Sequence, residues 1–271
     1  MSDFNTVFFI MGKNQSLVQS NVSTINRAAL FGDGLFETML FINGKIRFSE
    51  LHWDRLQEGL STLKINSNQL ISISQLESNL ADKFGADQPL RVRWSVFRSG
   101  LGKYTPVTNE REEIFMVQGH TQPPKIKNEA YISPSIHVPS SPWSHCKTLN
   151  ALTYVMANQQ RSEKKMDEVI LLDQKENISE AGSANLFWVK KKTYFTPSLT
   201  CNCIAGVSRR KIIEHLKSKN IKIEEGEFSE GDMLQAEQIF TSNVTGIAYL
   251  KKIRETEFNT EPIPLIEELF K

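Results

Sequence analysis

The stretch His145-Cys146-Lys147-Thr148-Leu149-Asn150 places a lysine where a Ser/Pro-rich segment, Pro139-Ser140-Ser141-Pro142, gives way to an amphipathic run. That run, from Ala151 to Gln160, has the periodicity of a helix that faces a core. A lysine at the junction of a loop and such a helix is poorly placed for solvation. Taken alone, Lys147 would still be interpreted as a surface group, as nearly all lysines are.

Two later stretches supply groups with which such an amine works. Ser179-Glu180-Ala181-Gly182-Ser183-Ala184-Asn185 carries one carboxylate, and Ile204-Ala205-Gly206-Val207-Ser208-Arg209 places a glycine turn before a predicted helix. Helix N-termini bind anions through their N–H groups and the helix dipole. An amine, a carboxylate and an anion-binding helix start are what pyridoxal 5'-phosphate (PLP) requires of a protein. Each stretch alone also fits an ordinary turn or a capped helix, so their order carries the prediction.

Length and composition indicate a two-domain globular protein. The chain has 271 residues, of which 39% are hydrophobic and 23% charged, which is enough to bury a sizeable core. The net charge of +1 favours neither nucleic acid nor an anionic membrane as a partner. Small anionic ligands must therefore be bound by local groups rather than by a global field.

The chain start and the cysteines predict a cytoplasmic location. Met1-Ser2-Asp3-Phe4 has no basic region, and no apolar run approaches the roughly 20 residues of a membrane helix. Three cysteines, an odd number, favour a reducing compartment. Cys201 and Cys203 have no second pair nearby, so we interpret them as buried thiols and expect no metal.

Strand, helix and turn signals predict an N-terminal α+β domain over residues 1–120, an interdomain linker over 121–130 and a C-terminal domain over 131–271. Asn43-Gly44, between two runs of β-forming residues, predicts a hairpin. Thr121-Gln122-Pro123-Pro124 has the composition of a linker. Strands that pair sequentially around two helices favour α+β organisation over a doubly wound α/β sheet.

The ordered motifs resemble those of the class IV aminotransferases, the fold-type IV PLP enzymes. This family includes branched-chain and D-amino-acid aminotransferases and 4-amino-4-deoxychorismate lyase. The resemblance runs from about Asn26 to Leu250 and implies a small α+β N-terminal domain and a larger, β-barrel-like C-terminal domain flanked by helices. Beside the stretches quoted above, it rests on Asn26-Arg27-Ala28, Phe31-Gly32-Asp33-Gly34-Leu35-Phe36-Glu37-Thr38, His52-Trp53-Asp54-Arg55-Leu56 and Ser242-Asn243.

The resemblance implies a PLP cofactor and a small-molecule amino substrate, and it assigns roles to three residues around the cofactor ring. Lys147 would be the catalytic residue, which bonds covalently to the cofactor and then serves as general acid and base. Glu180 would face the pyridine nitrogen and keep it protonated. Ile204 would pack against the ring.

The same resemblance implies a phosphate site. Arg55 would bind the phosphate through charge-assisted hydrogen bonds, and the backbone amides of Val207 and Ser208 would cradle it. Asn243 would belong to the same cofactor-binding set.

The position after Asn243 departs from the family pattern. Many members place Ser or Thr there as a further phosphate donor, whereas this chain has Val244. Either Thr245 or Ser242 would have to substitute, or the contact is missing.

The reaction is left open by the cofactor motifs. The loop from Phe97 to Tyr104 resembles a Gly-rich lyase loop in which two basic residues face substrate carboxylates, so Arg98 and Lys103 are candidate substrate-binding residues, although solvated loop charges explain them as well. This favours 4-amino-4-deoxychorismate lyase, which releases pyruvate and 4-aminobenzoate in folate biosynthesis. The short spacer after Lys147 disfavours a branched-chain aminotransferase and leaves a D-amino-acid aminotransferase open. An inactive PLP-binding homologue is the remote alternative, and the presence of Lys147, Glu180 and Arg55 argues against it.

A homodimer is also implied by the resemblance, with the active site lying between the two domains and completed by a loop of the other subunit. The sequence itself identifies no interface.

Overall fold

A computed structural model describes residues 7–12, 15–19 and 26–271 of the chain. Contacts within the chain divide these residues into two compact units. The first contains the described residues up to Gln122 together with Cys146–Asn150. The second contains Pro123–His145 and Ala151–Lys271.

The first unit is an antiparallel sheet with three helices. Its six strands run in the order β2-β1-β6-β5-β3-β4. The elements are β1 (Val7–Met11), β2 (Leu17–Gln19), α1 (Arg27–Phe31), β3 (Gly34–Ile42), β4 (Lys45–Ile46), α2 (Ser49–Thr62), α3 (Ile73–Phe84), β5 (Leu90–Arg98) and β6 (Arg111–Gly119).

The β3–β4 turn confirms the hairpin predicted at Asn43-Gly44. Both residues have positive φ, 51° and 74°, which this sequence pair adopts readily. Alternation along β3 directs Leu35 and Met39 into a core that also holds Leu56 and Leu60 of α2. The sheet face beneath α2 therefore carries the odd-numbered residues of β3.

Residues 146–150 pack with the first unit, although the predicted C-terminal domain (131–271) includes them. Backbone hydrogen bonds explain this placement: Phe36 N donates to the carbonyl of Lys147, and Leu149 N donates to the carbonyl of Gly34, both at 2.9 Å. Lys147 is thus fixed by its backbone to the start of β3.

The second unit is built on a mixed sheet of nine strands. Eight follow the order β12-β11-β10-β13-β14-β7-β8-β9, and β15 pairs with β14. The strands are β7 (Ile126–Val138), β8 (Glu168–Asp173), β9 (Ile178–Ala181), β10 (Asn185–Lys190), β11 (Thr193–Pro197), β12 (Ile223–Gly226), β13 (Gln238–Asn243), β14 (Gly246–Ile253) and β15 (Thr256–Glu257). The helices are α4 (Leu152–Glu163), α5 (Val207–Ser218), α6 (Glu230–Leu234) and α7 (Pro264–Glu267), with 3₁₀ turns at Leu199–Cys201 and Glu268–Phe270.

This sheet curls towards a half-barrel. The end strand β9 returns against β10, which lies inside the strand order, through the antiparallel bridge between Ala181 and Ala184. One face of the sheet packs against α5 through Phe187, Phe240 and Tyr249. Two sheets with segregated helices confirm the predicted α+β fold.

The linker is shorter than the predicted residues 121–130. Ile126 already begins β7 and pairs with Tyr249 of β14, and Ala130 pairs with Glu168 of β8. These parallel pairings lie far apart in sequence, so the local composition did not indicate them. In the described part of the chain, no helix combines the length and apolar character needed to cross a membrane.

Candidate functional site

Lys147 is half-buried and held against an aromatic ring of the first unit. Its Nζ lies 4.6 Å from the ring centroid of Phe36, within the range of a cation–π contact. The guanidinium of Arg93 lies 3.6 Å from the same centroid. The amine that the sequence singled out is therefore ordered by β3, both through its backbone and through its side chain.

Arg55 is clamped by a buried carboxylate. Its Nε donates to Oε1 of Glu37 at 2.8 Å and its Nη2 donates to Oε2, which gives a bidentate pair. Glu37 is only 2% exposed. Burial raises its pKa, but the positive charge of Arg55 and the hydrogen bond from His52 outweigh that effect and lower the pKa to about 2. Glu37 is ionised throughout the neutral range.

His52 supports this pair from the same helix. Its Nδ1 lies 2.6 Å from Oε2 of Glu37, and because that carboxylate is ionised, Nδ1 is the donor. Burial lowers the pKa of His52, and the charges of Arg55 and Lys147 lower it further, so the ring is neutral. Its buried Nε2 has no hydrogen-bond partner among the described residues. Positions 52 and 55 are three apart on α2, which brings both side chains to one face.

Arg98 is engaged by the protein itself, and its part in substrate binding stays a prediction. Its side chain is buried, and each of its nitrogens donates to a protein acceptor: Nε to Asp33, Nη1 to Asn109 and the carbonyl of Lys64, and Nη2 to the carbonyl of Leu63. Arg98 is a structural anchor that joins the end of β5 to the end of α2.

Lys103 is exposed, and the backbone around it is anchored. Nη1 of the buried Arg27 donates to the carbonyl oxygens of Lys103 at 2.8 Å and of Leu101 at 3.3 Å. Nε of Arg27 donates to Asp33 at 2.7 Å. The loop backbone is therefore fixed to α1, while the Lys103 side chain faces solvent.

Glu180 is a buried carboxylate on β9 of the second unit. It is 3% exposed and accepts a hydrogen bond of 2.6 Å from the hydroxyl of Tyr154. The backbone N–H of Ile204 lies 3.3 Å from both carboxylate oxygens. Burial raises the pKa of the neighbouring Cys203 thiol to about 12, so that thiol is neutral.

The N-terminus of α5 is closely packed, and its first N–H groups carry no side-chain cap. Gly206 precedes the helix, and no side chain caps it. A Cβ at Gly206 would lie 1.7 Å from Oδ1 of Asn185, whose Nδ2 donates to the carbonyl of Ile204 at 2.9 Å. Only glycine fits at this position. Val207 and Ser208 follow, both buried.

Ser242, rather than Asn243, lies on the α5 face of β13. Side chains alternate along a strand, so Ser242 shares the face of Phe240, which packs on α5. Ser242 also pairs in register with Asn185. Its hydroxyl is buried and has no hydrogen-bond partner among the described residues.

Asn243 and Thr245 lie at the turn between β13 and β14 and are hydrogen-bonded to each other. The N–H and hydroxyl of Thr245 donate to Oδ1 of Asn243 at 3.0 and 2.6 Å. Both residues line a cavity of about 410 Å³ together with Lys127, Arg161 and Ser183. The Thr245 hydroxyl already serves the β13–β14 turn, and its part as the extra phosphate donor stays a prediction.

Comparison with known proteins decides the family. The profile described as "Amino-transferase class IV" matches residues 34–253 of this chain. The chain belongs to the class IV aminotransferase family. It is a PLP-dependent enzyme of that family, which confirms the predicted cofactor.

Relatives of this chain differ in their reactions. An aminodeoxychorismate lyase from Vibrio harveyi is 25% identical over 255 residues, covering 89% of this chain and 90% of that protein. A D-alanine aminotransferase from Listeria innocua is 26% identical over 243 residues, covering 86% of this chain and 83% of that protein. A branched-chain aminotransferase from Thermoproteus uzoniensis, solved with norvaline, has a TM-score of 0.83 at 17% identity, covering 97% of this chain and 93% of that chain, and so shares the fold.

The residues of this chain fit PLP. The chain supplies an ordered amine at Lys147, a buried carboxylate at Glu180 and a guanidinium at Arg55. Gly206 precedes an uncapped helix start, and a Cβ there would collide with Oδ1 of Asn185. The buried hydroxyl of Ser242, which lacks a protein partner among the described residues, lies on the face of β13 that packs on this helix.

The sequence alone did not predict a role for Glu37, His52, Tyr154 or Asn185. Glu37 and His52 lie inside recognised motifs, and the spacing of His52 and Arg55 on α2 was a usable signal. Tyr154 lies in an amphipathic helix, where an aromatic residue is usually part of a core. Its contact with Glu180 spans 26 residues of sequence and becomes visible only in the fold.

Proposed function

We propose that the chain is a 4-amino-4-deoxychorismate lyase, which converts its substrate into 4-aminobenzoate and pyruvate with PLP as cofactor. The anchored loop from Phe97 to Tyr104 carries this choice, because Arg27 holds its backbone while Lys103 faces solvent. A flexible, exposed ammonium on a fixed loop is suited to meet a substrate carboxylate. The Vibrio harveyi lyase, similar over nearly the whole chain, supports the same reaction.

The cofactor ring is proposed to be served by Lys147, Glu180 and Ile204. Lys147 would hold PLP covalently, and its free Nζ would take the proton from the amino-bearing carbon of the substrate. Bound PLP supplies the electron sink for the pair left on that carbon. The carboxylate of Glu180, which is buried, would favour a protonated pyridine nitrogen, and Ile204 would pack on the ring.

The phosphate is proposed to be held by Arg55, the N–H groups of Val207 and Ser208, and the hydroxyl of Ser242. Glu37 and His52 hold the guanidinium of Arg55 in one orientation, which lowers the entropy lost on binding. The α5 N-terminus offers backbone donors and the positive end of a helix of 12 residues. The hydroxyl of Ser242 would donate the phosphate hydrogen bond that the side chain of Val244 cannot supply.

One comparison of substrates tests the lyase proposal. The purified holoenzyme is incubated with 4-amino-4-deoxychorismate and no keto acid, and 4-aminobenzoate and pyruvate are measured. Equal amounts of the two products are expected. Formation of pyruvate and D-glutamate from D-alanine and 2-oxoglutarate, with no lyase products, would instead establish a D-amino-acid aminotransferase, which the Listeria relative favours as the second candidate.

Lys103→Ala should raise KM for 4-amino-4-deoxychorismate about tenfold and change kcat less, because a rim carboxylate contact contributes about 1–2 kcal/mol of binding shared by ground and transition states. Lys192→Ala, another exposed lysine in a turn, is the matched control and should leave both constants unchanged. Equal KM values for the two variants would remove Lys103 from the substrate site.

We also propose that the enzyme is a homodimer that works in the cytoplasm. Leu152, Val155 and Met156 form an exposed apolar stripe on α4, the kind of surface that a second copy covers. The three cysteines form no disulfide. Sedimentation should give twice the chain mass, and an active monomer would contradict the dimer. Cell fractionation tests the location.

A further inference from the structure

Glu180 accepts a short hydrogen bond from the side chain of a helix residue. The Tyr154 hydroxyl donates to Oε1 of Glu180 at 2.6 Å. This length is typical of an O–H donor on an ionised carboxylate, a class of hydrogen bond about twice as strong as a neutral one. The bond joins the first turn of α4 to β9.

Tyr154 is a neutral donor. Burial raises its pKa, and the negative charge of Glu180 and the hydrogen bond to it raise the pKa further. The phenol therefore keeps its proton at neutral pH, and its hydroxyl donates to the carboxylate.

Asn158 fixes the helix that carries Tyr154 against the loop after Glu180. Its Nδ2 donates to the carbonyl oxygens of Tyr154 and Gly182, both at 2.9 Å. Arg161 Nε donates to Oδ1 of Asn158 at 3.2 Å. A Cβ at Gly182 would lie 2.7 Å from Cγ1 of Val169 and 3.1 Å from Nδ2 of Asn158, so helix and loop approach as closely as glycine allows. The tyrosine hydroxyl is thereby held at one place relative to the carboxylate.

We propose that Tyr154 is a positioning residue, whose hydroxyl holds the Glu180 carboxylate in the orientation in which it meets the PLP ring. The inference rests on the proposed role of Glu180. Tyr154 itself then contacts neither substrate nor cofactor and acts only through Glu180. Removal of the Tyr154 hydroxyl should weaken PLP binding only when residue 180 carries a carboxylate.

A double-mutant cycle on PLP affinity tests this coupling. Apoprotein is prepared from the wild type, Tyr154→Phe, Glu180→Gln and the double variant, and PLP binding is titrated by tryptophan fluorescence and by the absorbance of the bound cofactor. Tyr154→Phe should weaken PLP binding about tenfold, the scale of one hydrogen bond to a charged group. In the Glu180→Gln background the same change should weaken it less than about twofold, and the absorbance band should not shift further.

Tyr131→Phe is the matched control. Tyr131 packs in the same small core as Tyr154, and its buried hydroxyl has no hydrogen-bond partner among the described residues. Loss of that hydroxyl should leave PLP affinity unchanged. If Tyr154→Phe does not fold, Asn158→Ala, which loosens the same helix start, should show the same dependence on Glu180.

The outcomes separate this inference from the proposed function. If Glu180→Gln binds PLP as tightly as the wild type, the proposed role of Glu180 fails. If Glu180→Gln weakens binding but Tyr154→Phe does not, or does so equally in both backgrounds, the positioning role alone is overturned.

Discussion

Gly206→Ala is the substitution for which the structure gives the most direct prediction. The new Cβ would lie 1.7 Å from Oδ1 of Asn185, where ordinary contact begins at 3.4 Å, so the amide or the helix start must move by about 1.7 Å. Asn185 is 6% exposed and holds the carbonyl of Ile204, so its movement breaks a buried hydrogen bond.

The expected cost follows from these two effects. A buried polar group left unpaired costs about 1–3 kcal/mol, and overpacking of a tight site costs about 1–3 kcal/mol. The two effects overlap because the amide that moves also relieves the clash. We therefore expect the free energy of unfolding of the apoprotein to fall by about 2–4 kcal/mol. PLP affinity should fall at least about tenfold, since the displaced N–H groups are those proposed to hold its phosphate.

Urea unfolding of the apoprotein and PLP titration measure the two effects separately. Asn185→Ala supplies the matched control, because it removes the colliding amide. The double variant Gly206→Ala/Asn185→Ala should be less destabilised than the sum of the single variants. If Gly206→Ala has the free energy of unfolding and the PLP affinity of the wild type, the proposed phosphate site at the start of α5 is wrong. If the effects of the two single variants on stability add up exactly in the double variant, the clash with Asn185 is not the cause of the destabilisation.

The remaining predictions concern acid stability and the phosphate donor. The pKa of Glu37 lies near 2 in the fold against 4.5 ordinarily, so its ionised form stabilises the fold above pH 4.5. Up to about 3 kcal/mol of the free energy of unfolding should be lost as the pH falls from 4.5 towards 2. If the stability of Glu37→Gln falls as steeply over this range, Glu37 is not the group responsible. Ser242→Ala should leave apoprotein stability unchanged or raise it by about 1 kcal/mol, because the buried hydroxyl has no protein partner among the described residues, yet weaken PLP binding about fivefold. Thr245→Val should lower the free energy of unfolding, because it removes a hydrogen bond of the turn, and should leave PLP affinity unchanged. Weaker PLP binding in Thr245→Val than in Ser242→Ala would instead make Thr245 the phosphate donor.

Local signals predicted those parts of the fold that depend on neighbours in sequence. Asn43-Gly44 specified its hairpin because two adjacent positive φ values require such residues. The glycine before α5 was recognised as a helix start because it lies directly before an amphipathic run.

Contacts between distant segments could not be read from the sequence. Arg98 looked like a loop cation, but its acceptors include the carbonyl oxygens of Leu63 and Lys64, more than 30 residues away. Ser242 is preferred to Thr245 as the phosphate donor because of the face of β13 that packs on α5. The sequence alone does not show which face of a strand packs on a distant helix. The position of residues 146–150 was decided by backbone hydrogen bonds to β3 rather than by the neighbouring α4.

The location of the covalent PLP adduct tests the central claim most directly. The purified holoenzyme is reduced with borohydride, digested and mapped by peptide mass spectrometry, with Lys147→Ala as the control. The reduced adduct is predicted on Lys147 in the wild type and should be absent from the variant. An adduct on any other lysine of the wild-type enzyme would contradict the assignment of Lys147.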